Sequence, residues 1–380
     1  MNRTAFRADR LFDGMTCVDH PTLLVEDGRV TAVGDDVPPD IELVELAGAT
    51  LLPGLVDTHV HLAFDASTDV VGALAARDAE AELAAMAEAA RAQLAAGVTT
   101  VRDLGDRAYA SLRLDTDLTV VSAGPPITSV GGHCHYLGGE TVDVRAAVRE
   151  RAARGCGVVK VMASGGGLTP GTDVLARQFD DDDLRAVVDE AHRHGLPVTA
   201  HAHAVEAVAQ AVRAGVDGIE HASCFTAEGV DLPEELLAEI VRRRIAIGAT
   251  VGVVPIAGLV PPPHVLRRLP AIQANLARMV AAGAVVVAGT DAGIAPLKPH
   301  GVLPRGLADL VAAGMTPLEA LRAGTATAAA VVGLGERKGR LAPGYDADVL
   351  AVAGDPTTDP GALLAPVAVV VGGRVLETVR

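Results

Sequence analysis

Leu51-Leu52-Pro53-Gly54-Leu55-Val56-Asp57-Thr58-His59-Val60-His61 is an apolar run that ends in two histidines one residue apart. A run of this composition reads as a buried strand. Side chains alternate faces along a strand, so His59 and His61 point the same way, as does Asp57. Two imidazoles converging at the end of a buried strand are a ready pair of metal ligands. Taken alone, they fit two hydrogen-bonded core histidines equally well, and the rest of the chain has to decide.

Outward from this strand, strand-like and helix-like segments alternate. The strand candidates are Leu55–His61, Val98–Asp103, Leu118–Ser122, Val158–Met162, Val198–His203, Gly218–His221, Ile245–Thr250 and Val285–Asp291. The helical stretches between them are Ala75–Ala96, Val144–Arg154, Asp181–His194, Val205–Ala214, Pro233–Arg243 and Val265–Ala282. Several end in Ala-Gly or Arg-Gly, which suits a helix C-cap, and Asp180 to Asp183 place negative charge at a helix N-terminus. Eight strands with intervening helices read as an α/β (β/α)8 TIM barrel. A doubly wound open sheet is the alternative, but no Gly-x-Gly-x-x-Gly follows the first strand. Both ends of the chain are β-rich, with turn signals at Asp27-Gly28 and Gly372-Gly373. The expected organisation is therefore a discontinuous small β-sandwich domain from residues 1–52 and 336–380, around a catalytic metal-binding barrel over 53–335.

Composition narrows the classes of function. At 380 residues, 49% of them apolar, the chain can bury a large core. It has no Trp, three Tyr and five Phe, so small aliphatic residues must fill that core. A formal charge of −16 argues against nucleic acid or an anionic membrane as partner. Cys17, Cys134, Cys156 and Cys224 lack pairing or zinc-knuckle spacing, which suits free thiols in a reducing compartment. Met1 to Arg10 has no signal-peptide apolar region and no run reaches membrane-spanning length. A soluble cytoplasmic protein is expected, with a homo-oligomer allowed.

In a (β/α)8 barrel the active site lies at the C-terminal ends of the strands. There this chain places His59 and His61, Lys160, Thr199-Ala200-His201-Ala202-His203, Glu220-His221 and Gly289-Thr290-Asp291-Ala292-Gly293. Each alone has a structural explanation. Together, polar groups at five strand ends of an apolar barrel are hard to explain by packing, because a buried polar group without a partner costs a few kcal/mol, about 2–7. Convergence on a metal removes that cost.

In these residues, and in the tail Leu341-Ala342-Pro343-Gly344-Tyr345-Asp346-Ala347-Asp348, the sequence resembles the amidohydrolase superfamily of metal-dependent hydrolases. Val159-Lys160-Val161-Met162-Ala163-Ser164-Gly165-Gly166, Ala200-His201-Ala202-His203 and Ile219-Glu220-His221 bring it nearest to imidazolonepropionase-like proteins and Xaa-Pro dipeptidases (prolidases). The resemblance implies two divalent metals, zinc in the first place with Mn2+ or Fe2+ as alternatives. It places His59, His61 and Asp291 on one metal and His201 and His221 on the other, with Lys160 between them as a carbamate formed with CO2. A bare lysine beside a single metal is the alternative. The implied chemistry is hydrolysis by a hydroxide shared between metals about 3.5–4 Å apart, with Asp291 taking its proton and passing it to the leaving amine.

Residues that would contact substrate are read from the loops. Gly131-Gly132-His133-Cys134-His135-Tyr136 follows strand three, where His133, His135 or Tyr136 could hold the carbonyl oxygen or a carboxylate. His203 shares a strand face with His201 and could be a ligand beside it or in its place. Lys298-Pro299-His300-Gly301 follows strand eight, and His300 could recognise an anionic group. Asp103 is expected to accept a hydrogen bond from a ligand histidine, whereas Glu220 is read as pointing away from His221 in a structural role. Two departures from the resembled pattern border the pocket: Ala222 follows His221 where many relatives carry glycine, and Val253 to Pro263, with four prolines, is expected to form a lid.

The expected function is a metal-dependent hydrolase of a C–N amide bond in a small molecule: a dipeptide, an N-acyl amino acid or a related amide. Alternatives are a mononuclear cyclic-amide hydrolase of the imidazolonepropionase kind, a lactonase or phosphotriesterase using the same metals, and, in another class, a metal-free barrel that only binds.

Overall fold

In a computed structural model the protein is described over residues 3–19, 21–34, 37–39, 41–260 and 263–378. The chain opens with β1 (Arg3–Phe12), β2 (Cys17–Asp19), β3 (Thr22–Glu26), β4 (Arg29–Gly34) and β5 (Glu42–Pro53). Then come β6 (Leu55–Val60), β7 (Val98–Asp103), β8 (Thr119–Ser122), β9 (Val159–Met162), β10 (Val198–Ala204), β11 (Gly218–Phe225), β12 (Ala246–Thr250) and β13 (Val286–Gly289). It closes with β14 (Val349–Ala353), β15 (Pro366–Val371) and β16 (Arg374–Thr378).

The middle strands are all parallel, in the orders β6-β7-β8 and β13-β12-β11-β10-β9. Parallel bridges Ile127↔Val161 and Val60↔Ala292 join the two sheets at both edges. Helices connect the strands, which explains why β6, β7 and β9 are buried along their whole length rather than on alternate residues. The result is a TIM-barrel-like α/β fold.

Local signals set the helix ends. Asp180 caps its helix through a 2.8 Å bond from Asp183 N, and Gly155 and Gly215 close theirs in the left-handed conformation. The stretch expected as one helix over Ala75–Ala96 is two, Val70–Ala75 and Ala79–Ala95. Asp78 makes the break, because its carboxylate accepts from Glu80 N and Ala81 N and so starts a new helix. Past β13 the chain forms three helices, Leu303–Ala312, Pro317–Ala323 and Ala326–Val331. No described helix is long and apolar enough to cross a membrane.

Strands from both ends share one sheet, in the order β16-β15-β14-β5-β1-β3-β4 with β2 beside β1. Alternation divides its side chains between two cores: Leu51, Val349 and Val370 pack on the sheet's own core, while Leu52, Leu350 and Val369 join the barrel core. The turn at Asp27-Gly28 (φ 46° and 80°) and the turn at Gly372-Gly373 (φ 53° and 77°) have the paired positive φ of a type I′ hairpin. They also touch. A Cβ on Gly28 would stand 3.1 Å from Gly372 O, and one on Gly373 would stand 2.7 Å from Val25 Cγ1. Gly54 N donates to Asp348 O at 2.9 Å, so β6 leaves this sheet tied to the C-terminal segment.

Candidate metal centre

His59, His61 and Asp291 meet where β6 ends beside the turn after β13. His59 Nε2 and His61 Nε2 each lie 3.3 Å from Asp291 Oδ1, and 3.3 Å from one another. All three side chains are buried. Asp57 holds the two segments together, accepting from Thr290 N at 3.0 Å, Thr290 Oγ1 at 2.6 Å and His59 N at 3.2 Å.

The outer hydrogen bonds decide what those three atoms are. His59 Nδ1 donates to Glu220 Oε2 at 2.9 Å, and His61 Nδ1 donates to Gly105 O at 3.3 Å. A carbonyl or carboxylate oxygen can only accept, so both Nδ1 atoms carry the proton and both Nε2 atoms present lone pairs. Burial lowers the His59 pKa to about 4, which keeps its ring neutral. Two nitrogen lone pairs and a carboxylate oxygen facing one another repel unless a cation lies between them. Donors held about 2.0–2.1 Å from a tetrahedral zinc stand roughly 3.3 Å apart. The donor set fits a divalent ion in both spacing and charge.

A second group lies alongside. His201, His203 and His221 bring one nitrogen each to within 4.8 Å of the others, with His221 Nε2 3.1 Å from His201 Nδ1. His201 Nε2 donates to Gly165 O at 3.2 Å, leaving Nδ1 as its lone pair. His203 Nδ1 and Ser223 Oγ are 2.9 Å apart, and His221 Nδ1 and Thr250 Oγ1 are 3.1 Å apart. The rings of His59 and His221 have centroids 5.3 Å apart, so the two groups are contiguous. Lys160 is fully buried on β9, paired in register with Thr199. Burial lowers its pKa to about 8, and among the described residues no hydrogen bond or ion pair reaches its Nζ.

Glu220 corrects the sequence reading. It is the carboxylate that holds His59, and its other oxygen accepts from Arg102 Nη2 at 2.8 Å and Thr199 Oγ1 at 2.6 Å. Burial pushes its pKa up, but the Arg102 charge and the bond to His59 outweigh that and hold it well below the carboxylate range. Strict alternation would turn Glu220 and His221 to opposite faces. His221 instead has φ +67°, outside the strand region, and this turn swings its ring back to the side Glu220 occupies. Asp291, with φ +59°, is turned in the same way. Left-handed backbone at bulky residues costs about 1–3 kcal/mol each and collects at functional sites. Gly248 makes the room, since a Cβ there would stand 2.1 Å from Glu220 Oε2. Asp103, expected in this role, accepts instead from Leu62 N at 2.9 Å and Gly105 N at 3.1 Å.

The remaining candidates divide. His133 is at the centre, its ring centroid 4.8 Å from that of His201 and its buried Nδ1 without a hydrogen-bond partner. Gly166 gives it room, because a Cβ there would stand 2.4 Å from His133 Nε2. Tyr136 is half-buried, its ring 6.5 Å from Phe64, which in turn lies 5.5 Å from His61. His135 Nδ1 donates to Gly132 O at 3.1 Å within its own turn. His300 is taken up by the framework: its Nε2 donates to Phe64 O at 2.8 Å, and its Nδ1 lies 3.5 Å from Gln93 Nε2. Lys298 is likewise a peg, donating to Thr250 O at 3.0 Å and Thr290 O at 2.8 Å. Of the expected lid, Pro261 and Pro262 lie outside the described residues, and Val254 N is bonded to Leu297 O at 2.9 Å. A cavity of about 400 Å³ reaches from His221 and Thr250 down between β12 and the helix Pro263–Ala281.

Residues 50–376 match the amidohydrolase family, and the chain belongs to it: it is a hydrolase of carbon–nitrogen bonds. Its relatives include ochratoxinase, imidazolonepropionases and prolidases. It is 28% identical to the ochratoxinase of Aspergillus niger, over 89% of this chain and 78% of that protein. With an uncharacterized protein of Mycobacterium tuberculosis it shares 31% identity, over 93% of this chain and 91% of the other. The crystal structure of A. niger ochratoxinase superposes with a TM-score of 0.86 at 26% identity, covering 100% of this chain and 96% of that one. A Xaa-Pro dipeptidase with methionine in its active site has the same fold, with a TM-score of 0.86 at 24% identity over 99% and 100% of the two chains.

Proposed function

We propose that this enzyme hydrolyses the amide bond of a small molecule, a dipeptide or N-acyl amino acid, at a two-metal centre inside a closed (β/α)8 barrel. The small β-sandwich domain would comprise residues 1–52 and 336–380, and the setting would be cytoplasmic. The observation that carries the reading is the facing of His59 Nε2, His61 Nε2 and Asp291 Oδ1 at 3.3 Å with no proton available between the two nitrogens. The likeness to ochratoxinase and to a Xaa-Pro dipeptidase supports an amide or peptide substrate.

His59, His61 and Asp291 would hold one ion, zinc first, and His201 and His221 the other, with His203 able to join them. Lys160 would lie between as a carbamate. Its fully buried amine, with a pKa lowered to about 8, has a neutral fraction able to take up CO2. When bound, the ions supply Lewis acidity and lower the pKa of water. Asp291 would accept a proton on its carboxylate from the attacking water and return it to the leaving amine. Glu220 keeps His59 in the tautomer whose lone pair faces inward. His133, with its unpartnered Nδ1, is placed to hold a substrate oxygen, with Tyr136 and His135 beside it.

The test is a screen of N-acyl amino acids, dipeptides and lactones on metal-replete enzyme, with Asp291→Asn as control and metal content and the mass of Lys160 measured on the same sample. Cleavage of lactones without amides would overturn the substrate reading. One metal per chain with unmodified Lys160 would overturn the two-metal centre.

A further inference from the structure

Lys298 spends its whole hydrogen-bonding capacity on backbone from two separate segments. Its Nζ donates to Thr290 O at 2.8 Å, to Thr250 O at 3.0 Å and to Gly252 O at 3.4 Å. An ammonium has three donors, and all three are taken. Among the described residues no carboxylate forms an ion pair with it, so carbonyl dipoles rather than a counter-ion hold this charge. The two segments also meet through Val251 N, 2.9 Å from Gly289 O, and through Val254 N, 2.9 Å from Leu297 O. Those bonds leave the three carbonyls converging on one point, where their oxygens repel one another unless a donor stands between them.

Each segment serves one of the two metal-holding groups. Thr290 precedes Asp291, whose φ of +59° persists only under the hold of its neighbours. Lys298 supplies that hold from both sides of Asp291. Its ammonium takes the carbonyl of Thr290, and its own carbonyl accepts from Gly293 N at 2.8 Å. Thr250 ends β12, and its Oγ1 lies 3.1 Å from His221 Nδ1. A proton on Nδ1 in that bond leaves His221 Nε2 as the lone pair facing His201.

We propose that Lys298 is a positioning residue that couples the two groups, so that its loss weakens both ions together. Its ammonium bonds no ligand side chain and acts only through backbone. The inference rests on the two-metal reading above. Without the ammonium three carbonyls lose their donor, and moving them apart shifts Asp291 in one group and Thr250 in the other. A neutral amide has two N–H donors and cannot replace all three bonds.

The experiment titrates cadmium into the metal-free full chain and follows one cadmium NMR resonance per site. His61→Ala and His221→Ala identify which resonance belongs to which group. The wild type is expected to show two resonances, and Lys298→Met to lower the affinity of both by about 10- to 100-fold. Thr250→Val, which cuts only the bond to His221, should weaken the His201 and His221 site alone. Should Lys298→Met not fold, Lys298→Gln, which keeps a neutral donor, is read by the same criterion. A folded Lys298 variant in which either site keeps its wild-type affinity overturns the coupling. So does a lower Tm of the metal-free protein with both affinities intact, the mark of a merely structural peg. A single resonance in the wild type overturns the two-metal reading and this inference with it; two resonances of which only one weakens overturn this inference alone.

Discussion

Glu220 Oε2 accepts the Nδ1 proton of His59 at 2.9 Å, and that bond makes His59 Nε2 a lone pair aimed at Asp291 and His61. Glu220 touches none of the proposed metal positions. It acts by fixing a tautomer and by neutralising the buried Arg102.

Glu220→Gln should therefore weaken metal binding while leaving every ligand in place. The amide can present its NH2 to His59 and invert the tautomer, and it leaves Arg102 buried beside a neutral group. Metal affinity, measured by competition with a chromophoric chelator, should fall about 10- to 100-fold. Thermal unfolding should also shift down, because an uncompensated buried charge costs on the order of 3–5 kcal/mol. Unchanged affinity would falsify the orienting role.

Gly248→Ala attacks the same bond from the neighbouring strand. Its Cβ would stand 2.1 Å from Glu220 Oε2, and the carboxylate has no free side on which to retreat. Overpacking of this kind costs about 1–3 kcal/mol. Urea denaturation should show a loss of that size, accompanied by weaker metal binding. A stability loss with metal affinity intact would mean that Glu220 does not govern His59.

Asp291→Asn should fold and retain metal while turnover drops by about 10²–10⁴-fold, the usual size of a general acid–base contribution. The measurement is kcat on the best amide of the screen, with metal content by mass spectrometry. Near-normal kcat would remove Asp291 from proton transfer.

Removing metal should destabilise the folded chain as well as silence it. In the metal-free protein the lone pairs of His59 and His61 and the Asp291 carboxylate face each other unscreened at 3.3 Å. Ligand binding to the native state alone adds about 2.7 kcal/mol at a hundredfold excess over Kd. Dialysis against a chelator should lower Tm, and added zinc should restore it together with activity. A Tm indifferent to metal would argue that the cluster is not a metal site.

Asp106 offers a pH test away from the metal ligands. It is buried, its pKa is raised to about 7 by burial and by the neighbouring Asp103 charge, and its bonds from Ser111 only partly oppose this. A carboxyl group whose folded pKa lies above its unfolded value of about 3.9 binds a proton more tightly when folded. Its contribution to stability is complete below pH 4 and is lost as pH rises through 7, at about 1.4 kcal/mol per unit inside that window. Asp106→Asn, which keeps an acceptor for Ser111 N, should lose this slope. Denaturant midpoints of both proteins between pH 4.5 and 8, about the window set by these pKa values, should lie close together at the acid end and separate as pH rises, the wild type falling below the variant; parallel curves would contradict the assigned titration.

Periodicity and capping chemistry made much of this protein readable from its sequence. The eight middle strands fall within a residue or a few of where apolar runs placed them, because such runs bounded by Gly and polar residues have few other uses. The hairpin turns at Asp27-Gly28 and Gly372-Gly373 and the cap at Asp180 are local chemistry. So is the gathering of His59, His61, His201 and Asp291 at one end, since strand direction sends successive C-terminal ends to one face. What the sequence could not yield depends on groups distant along the chain. Alternation turns Glu220 away from His221, a rule that fails where the backbone of His221 takes φ +67°. His300 and Lys298 look like binding residues in sequence, but backbone carbonyls from Phe64, Thr250 and Thr290 consume them. Sequence by itself determined which residues can do chemistry and the face on which they gather. The tertiary structure decided which have their hydrogen-bonding capacity already taken and which are left with a lone pair or a charge to offer.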